Sequence, residues 1–534
     1  MIRNYTNNKS AYMIMCIFVC LFKLTGCMEH NYKREADEKV YRIIDQKWRE
    51  DFGTKANFKI SDTAPTANDI QIEKAVPASG IISLPEAVAL ATAHNHEYQN
   101  KKEELYIKAL DLSLTRHEFE RRYFWTGASG YTADRNDEVI GREANFGFNQ
   151  LLATGTRITT RIAAAWVDVL SGNLNGGLTS LLSVNILKPL LRGSERKVVL
   201  ENLTQAERDT LYEVRSFNRF RKTFVVSVIN QYYGVLLKLD AVNNARENYN
   251  TLGNIEGKIE KLAKAGRVPQ FELDRVQQEK LKAFDIYIQT QKEYKQALDE
   301  FKLTLSLPTT AEFQLDKNEL EALRTAERIK PDFSEDEVIE AALLRRLDMA
   351  NNADAVIDAH RKVYVTADAL RTELNLVGSA NVISARVADR TTLRSLREEY
   401  NLGFEFDFPM DRVPEQHVYR KALINFNQKQ RDYELASDII KLEVRQDYRD
   451  LEEAAERYKV QMEALELAKK RFDKTYLLLH YGRASSRRVL SAQNDLFEAQ
   501  NTATQTLVDY TIATLNFYRD TGVLQIRPDG MWEH

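Results

Sequence analysis

The histidines and the small-residue clusters are the first places in this 534-residue chain to look for catalytic or metal-binding chemistry. His94 and His96 are two residues apart, so on a helix they diverge and lack the i, i+4 spacing of a metal-binding pair. Residues 127–130 read Gly-Ala-Ser-Gly, which is not the nucleophile-elbow pattern, and the glycine-rich stretch 172–177 has no phosphate-binding lysine. We therefore predict a protein that is not an enzyme and uses no metal or cofactor.

The cysteines indicate covalent lipid attachment instead of catalysis. All 3 lie within the first 27 residues, where a basic start is followed by an apolar run over 11–22 that is too short to span a membrane comfortably. The segment 24–27 reads Leu-Thr-Gly-Cys and resembles a bacterial lipobox. We predict that residues 1–26 are a lipoprotein signal peptide and that Cys27 is lipidated, with palmitate among its acyl groups. The alternative is an uncleaved short anchor. A lipid anchor alone would tether the protein without making it a membrane channel.

The overall composition gives no reason to propose a nucleic-acid partner or a string of globular domains. Lys and Arg number 75 against 78 Asp and Glu, which leaves a net charge of -3. Only 10 prolines occur, and none lies between Pro414 and Pro528. Because helix-breaking prolines are so sparse, the sequence favours long uninterrupted helices.

A long helical hairpin is predicted over residues 442–518. Apolar residues recur every three or four positions from Leu451 to Leu479 and again from Val489 to Ala499, which is typical of amphipathic helices. Gly482 lies between them as the expected helix C-cap, and Ser485 or Ser486 is the expected N-cap of the next helix. Each arm of roughly 35 residues would be about 50 Å long. Such lengths favour a rod or tube over a compact core.

An internal repeat links this hairpin to the first half of the chain. Ser83 and Ser334 each open a capping box, 251 positions apart (334 minus 83). The strand-to-helix joins at Pro189 and Pro409 are 220 apart (409 minus 189), so the first half carries 31 extra residues (251 minus 220) before its join. The extra residues fall among sequence of β type.

That β-type sequence alternates between apolar and polar residues. The clearest run gives one face Tyr400, Leu402, Phe404, Phe406 and Phe408, and we predict that this face contacts membrane lipid. Shorter alternating runs lie at 370–377, 182–186 and 123–132, and an added hairpin is predicted over 146–164, turning near Gly155. The alternative is an ordinary sheet with one face on a protein core. A few strands cannot close a barrel within one chain, so membrane strands would require several protomers to share a barrel.

The order of these parts, behind a lipobox, resembles the TolC-type outer-membrane efflux proteins over residues 83–525. The motifs that carry the resemblance are Ser-Leu-Pro-Glu-Ala-Val at 83–88, Lys-Pro-Leu-Leu-Arg-Gly at 188–193, Leu-Thr-Leu-Ser-Leu-Pro at 303–308 and the tip run 481–493. The resemblance implies a mainly α channel-tunnel with transmembrane β-strands: a homotrimer in outer-membrane lipid whose strands form one barrel and whose helices form a periplasmic tunnel. It also implies two partners, a periplasmic adaptor (membrane fusion) protein and an inner-membrane pump.

Two departures from the family pattern concern the strands and the tunnel entrance. The family typically has four strands per protomer, and the excess residues predict a larger first β-unit here. Where members with an acidic entrance have carboxylates, this chain has Arg488 and Ser491. We expect a basic periplasmic gate at the helical tips, and the alternative is that the arginines are solvated or bind carboxylates of the adaptor. The predicted tip residues are Gly266, Arg267, Gly482, Arg483, Ser485, Arg487 and Arg488.

The sequence thus predicts a passive outer-membrane exit duct for small molecules. The alternatives are a non-conducting coiled-coil lipoprotein and the outer-membrane duct of a type I polypeptide secretion system. The expected divisions are a signal peptide at 1–26, a polar segment of no assigned role at 27–82, a first repeat at 83–330, a second repeat at 331–525 and a tail at 526–534.

Overall fold

The computed structural model describes residues 29–49, 52, 55, 57–60, 79–133, 138–171, 177–325, 334–386, 394–408, 410–527 and 532–533. The predicted signal peptide and Cys27 lie outside the described residues. The chain divides into two compact units, each assembled from three segments. The first unit contains residues 1–48, 105–214 and 352–433, and the second contains 49–104, 215–351 and 434–534.

The first unit is built around a six-stranded antiparallel sheet. Its strands are β2 Arg122–Ala133, β3 Glu138–Leu151, β4 Arg157–Ser171, β5 Gly177–Pro189, β7 Glu373–Arg386 and β8 Arg394–Asp407. They lie side by side in this order, so that β5, the last strand of the first half, pairs with β7, the first strand of the second half. The predicted added hairpin is present as β3 and β4.

Helices lead into and out of this sheet. They are α1 Glu29–Lys47, the second part of α3 His96–His117, α4 Arg196–Val199, the start of α5 Glu201–Lys264, most of α9 Leu347–Asp368 and the start of α10 Val413–His480. Helix α1 lies in the segment to which the sequence assigned no role. Its Val40 and Ile44 are fully buried, and Tyr106 of α3 donates a hydrogen bond to Asp37 at 2.5 Å.

The second unit is helical and contains the two hairpins. It comprises β1 Ile81–Ile82, α2 Leu84–His94, the first part of α3, the rest of α5, α6 Gln270–Thr304, β6 Gln314–Leu315, α7 Asn318–Thr325, α8 Glu335–Arg345, the start of α9, the rest of α10, α11 Ser486–Asp520, β9 Gln525–Ile526 and β10 Trp532–Glu533. Each hairpin joins a very long helix to one of 35 residues: α5 has 64 residues and α10 has 68. The repeat predicted from the sequence is therefore confirmed in the order of elements.

The capping signals explain where the helices begin. At Ser83 the backbone N–H donates to the Glu86 carboxylate at 2.8 Å, and at Ser334 the corresponding bond to Glu337 is 2.9 Å long. Both predicted capping boxes are therefore present. None of the helices in the described part of the chain is both long and apolar enough to cross a membrane.

Several boundaries differ from the sequence predictions, among them the start of the second hairpin, whose first helix α10 begins at Val413 and not at residue 442. The run predicted as a strand over 370–377 starts three residues later, because α9 continues to Asp368 and a turn follows in which the Arg371 N–H donates to the Asp368 carbonyl at 2.9 Å. The strand predicted over 400–408 ends at Asp407, which leaves Phe408 just beyond it.

Candidate functional site: the two-faced sheet and the helical tips

The sheet has one face that is mainly apolar and aromatic, with charged residues such as Arg142, Lys188 and Glu398 among its members. The pairing register places Tyr123 opposite Phe148, Trp125 opposite Phe146, and Leu376 opposite Phe404, all on this face. Along β8 the exposed fractions are 71% for Tyr400, 80% for Leu402, 72% for Phe404 and 64% for Phe406. A soluble protein rarely exposes so large a continuous apolar patch. Aromatic side chains occur near both ends of the strands, as in membrane strands.

The opposite face is mainly polar, although Phe124, Leu181, Leu187, Val377 and Ile383 also lie on it. It carries asparagine, serine and threonine side chains with a few charges: Arg122, Thr126, Asn145, Asn149, Arg161, Ser183, Asn185, Ser379, Asn381, Asn401, Glu405 and Asp407. In the described residues of β8, Arg397 pairs with Glu399 at 2.8 Å on this face. One sheet therefore separates an apolar surface from a hydrophilic one.

The turn of the added hairpin packs closely against the segment that follows β5. Gly155 has a φ of 76°, and a Cβ there would lie 2.6 Å from the Gly193 carbonyl oxygen and 2.8 Å from Pro189 Cγ. Only glycine fits this left-handed, crowded position. The turn thus packs directly against the segment that leaves β5, so the hairpin belongs to the sheet.

The two helical tips have the same backbone construction. At the first, the Gly266 N–H donates to the Ala263 carbonyl and the Arg267 N–H donates to the Leu262 carbonyl, both at 2.9 Å. At the second, Gly482 donates to Leu479 at 3.0 Å and Arg483 donates to Leu478 at 2.8 Å. These paired bonds form the Schellman motif, and the glycines have φ of 65° and 69°.

The tips pack on each other through an apolar cluster with polar links. The buried members of this tip cluster are Leu252, Ile255, Ile259, Leu273, Val276, Ala283, Leu479, Val489 and Leu490. Ser486 donates a hydrogen bond to the Glu272 carboxylate across the tips. Lys258 Nζ donates to the Tyr476 hydroxyl at 2.7 Å and lies 4.0 Å from its ring centroid. The predicted N-cap Ser485 occupies that position, although its side chain makes no capping bond.

The predicted tip arginines are exposed. Arg267, Arg483, Arg487 and Arg488 form no ion pair or side-chain hydrogen bond with the described part of the chain. Nearby, Arg275 pairs with Glu272 at 3.4 Å. The exposed arginines therefore give the second tip an uncompensated positive charge available to a solute or a partner.

A carboxyl pair in the second unit, in which Asp520 is buried and Asp447 is half-buried, was not anticipated from the sequence. Burial, followed by the charge and hydrogen bond of Asp520, raises the pKa of Asp447 to about 7. Arg519 forms an ion pair with Asp520, and Arg219 lies 3.5 Å from the same carboxylate. Asp447 and Asp520 belong to different helices, 73 positions apart (520 minus 447), so no spacing rule links them.

The histidines take packing and surface positions. His360 lies against Phe426 with ring centroids 5.4 Å apart, and His117 contacts Glu120 at 2.9 Å. Burial, with a smaller contribution from Lys102, lowers the pKa of His94. No group of three or more His, Cys, Asp or Glu side chains in the described residues has the geometry of a metal site.

Solved structures with this architecture include the outer-membrane channels OprN and CmeC and the outer membrane protein VceC. OprN has a TM-score of 0.59 at 13% identity, covering 88% of this chain and 98% of its own. CmeC of Campylobacter jejuni has 0.57 at 14%, covering 89% and 91%, and VceC of Vibrio cholerae has 0.59 at 10%, covering 86% and 99%. No protein-family model and no curated protein sequence matches the chain. The chain therefore has the TolC-type fold of the outer-membrane efflux channels.

Proposed function

We propose that this protein is the outer-membrane channel of a tripartite efflux system, a passive exit duct for small molecules that is not an enzyme. The observation that carries the proposal is the sheet with one aromatic face and one polar face, within the TolC-type fold. Energy for export would come from an inner-membrane pump through a periplasmic adaptor.

The sheet supports the membrane location. Its apolar face would be covered by outer-membrane lipid, with Tyr400, Leu402, Phe404 and Phe406 facing the acyl chains and Phe408 at their margin. The polar face would line a water-filled lumen. Lipid does not tolerate unpaired strand edges, so several copies must complete the barrel.

Exposed helical stripes support assembly into the homotrimer that we propose. On α6 the exposed apolar residues Leu281, Phe284 and Ile288 follow the i, i+3, i+7 spacing of one helix face. On α10 the residues Leu435, Ile439 and Leu442 follow the i, i+4, i+7 spacing. These stripes lie within the second unit and would pack helix on helix between copies.

The helical tips support a gate and a docking end for the adaptor. Phe271 is 58% exposed and Tyr481 is 68% exposed, and they accompany the exposed tip arginines. We propose that Gly266, Arg267, Gly482, Arg483, Ser485, Arg487 and Arg488 surround the periplasmic entrance. We further propose that Cys27 is lipidated after removal of residues 1–26, and that residues 83–330 and 331–525 are the two repeats.

Planar-bilayer recording of detergent-extracted protein, with oligomer mass measured in the same preparation, tests the proposal. A trimer with discrete conductance steps would support a duct, whereas a monomer that stays in solution without detergent would favour a coiled-coil lipoprotein. Phe404→Lys on the apolar face should reduce insertion strongly, and Asn401→Lys on the polar face serves as the matched control. Export of a reporter polypeptide with its pump would favour the secretion duct.

A further inference from the structure

The two edges of the six-stranded sheet carry opposite charges at the same end. Arg122 begins β2 and Asp407 ends β8, with Glu405 two residues before it, and all three lie on the polar face. Each is exposed, and none forms an ion pair with the described part of the chain. One edge therefore presents a cation and the other presents two anions.

We propose that β2 of one copy pairs with β8 of a second copy, and that three such seams close an eighteen-stranded barrel (three times six) held at each seam by Arg122 against Asp407 and Glu405. The stoichiometry rests on the homotrimer of the proposed function. The occupant of each edge is a second copy of this chain.

The strand count and strand directions fit this closure. Six strands alternate in direction, so β2 and β8 are antiparallel and the alternation continues unbroken from one copy to the next. The apolar faces of β2 and β8 also match, with Trp125 on one edge and Phe404 on the other. The seam would therefore expose no edge to lipid.

The pairing register supplies the tilt that a closed barrel needs. If one starts at Arg122 and moves to the paired residue on each successive strand, the path ends at Asn401 on β8. Asn401 is six residues (407 minus 401) from Asp407, the last residue of β8. Six residues of about 3.3 Å against five strand spacings of about 4.8 Å give a tilt of about 40°. Closed barrels have tilts of about 35–45°. The same tilt across the seam puts Arg122 opposite Asp407, or two residues from it.

The added hairpin of β3 and β4 sets the width. Four strands from each of three copies would give twelve, whereas six give eighteen. Barrel diameter grows roughly linearly with strand number, so the barrel would be about one and a half times as wide, within the range that leaves an aqueous channel. We infer that the membrane segment passes bulkier solutes than a twelve-stranded barrel would.

Charge reversal tests the seam in the full-length protein. Arg122→Glu and Asp407→Arg alone should each shift the oligomer towards dissociation, by about tenfold because three equivalent seams change together, and the double variant should restore it. Arg161→Glu changes the same charge on the same face of the interior strand β4 and should have no effect on assembly. Single variants that match Arg161→Glu would overturn the seam.

Thiol cross-linking counts the copies. The double variant Ala128→Cys with Asn401→Cys, treated with a short flexible bis-maleimide, should link copies into a ladder that ends at three. In the control variant, Ser379→Cys with Asn401→Cys, the two positions are direct neighbours within one chain and should give no mass increase. A ladder extending beyond three, or no ladder while the control pair reacts, would overturn the eighteen-stranded barrel. Conductance without a ladder would leave the proposed function standing, and a ladder without conductance would leave the seam standing.

Discussion

Ser486 donates a hydrogen bond to the carboxylate of Glu272, which joins the first turn of α11 to the first turn of α6. Ser486 is only 2% exposed, and Glu272 also contacts Arg275 at 3.4 Å. The bond therefore links the two helical tips through polar atoms at the edge of their apolar cluster. If the tips close the periplasmic entrance, this bond stabilises the closed arrangement.

Replacing Ser486 with alanine should loosen the tips. The Glu272 carboxylate would lose a hydrogen-bond donor in a largely buried position, at a cost of about 1–2 kcal/mol to the closed form. In single-channel recordings we expect the open probability of Ser486→Ala to rise about tenfold. Ser485→Ala is the matched control, because the Ser485 side chain makes no capping bond. Equal open probabilities in the two variants would show that the bond does not hold the entrance closed.

Glycine at the tips should be required for its backbone conformation alone. Gly482 has a φ of 69°, and a Cβ at this position would meet no atom within 4 Å. We therefore expect Gly482→Ala to lower the free energy of unfolding by about 1 kcal/mol through left-handed strain, measured by thermal denaturation in detergent.

The control is a helical glycine with equally open surroundings. Gly257 lies inside α5 without a positive φ, and a Cβ added to it would also meet no atom within 4 Å. Gly257→Ala should raise stability by about 0.5–1 kcal/mol, since alanine favours the helix. A stabilising Gly482→Ala would contradict the strain argument.

The sequence predicted these tips well because their determinants are local. A glycine four positions before each hairpin's second helix, Gly266 before Gln270 and Gly482 before Ser486, is a signal contained in a few residues. The capping boxes at Ser83 and Ser334 are local in the same sense. Strand alternation also predicted which face of β8 is apolar.

Features that depend on contacts between residues far apart in the chain could not be predicted from the sequence. Helix α1 has no long apolar run, and its burial depends on Tyr106, which lies 69 positions from its partner Asp37. The carboxyl pair of Asp447 and Asp520 depends on how α10 packs against α11. The start of α10 could have been predicted from the sequence, since Pro414 fits the first turn of a helix. In the structure the Asp411 carboxylate accepts a hydrogen bond from the Val413 N–H at 3.0 Å at this point.

Stability should depend on pH through Asp447. Burial and the neighbouring Asp520 raise its pKa to about 7, against about 3.9 in an unfolded chain. Between about pH 4 and pH 7 the folded protein therefore keeps this proton, whereas the unfolded chain has released it. The contribution of Asp447 to the free energy of unfolding is complete below about pH 4 and is lost as the pH rises to about 7. Thermal denaturation should show this decline in the wild-type protein.

Asp447→Asn should remove that decline, because the amide stays neutral at every pH. The variant should be more stable than the wild type at pH 8, and the difference should vanish near pH 4. Asp438→Asn on the same helix alters an exposed surface pair with Lys441 and should leave the pH profile unchanged. Parallel profiles for the wild type and Asp447→Asn would contradict the raised pKa.

The charge of the second tip should set ion selectivity. Arg488 is exposed at the start of α11 and forms no ion pair with the described residues, so three copies around an entrance would favour anions. Arg488→Glu should shift the reversal potential, measured under a salt gradient, towards cation selectivity. Arg457→Glu changes an exposed arginine of α10 that lies 3.5 Å from Glu453, away from the tip, and should leave selectivity unchanged. If Arg488→Glu keeps its selectivity but binds the adaptor less tightly, the arginine belongs to the docking surface and not to the gate.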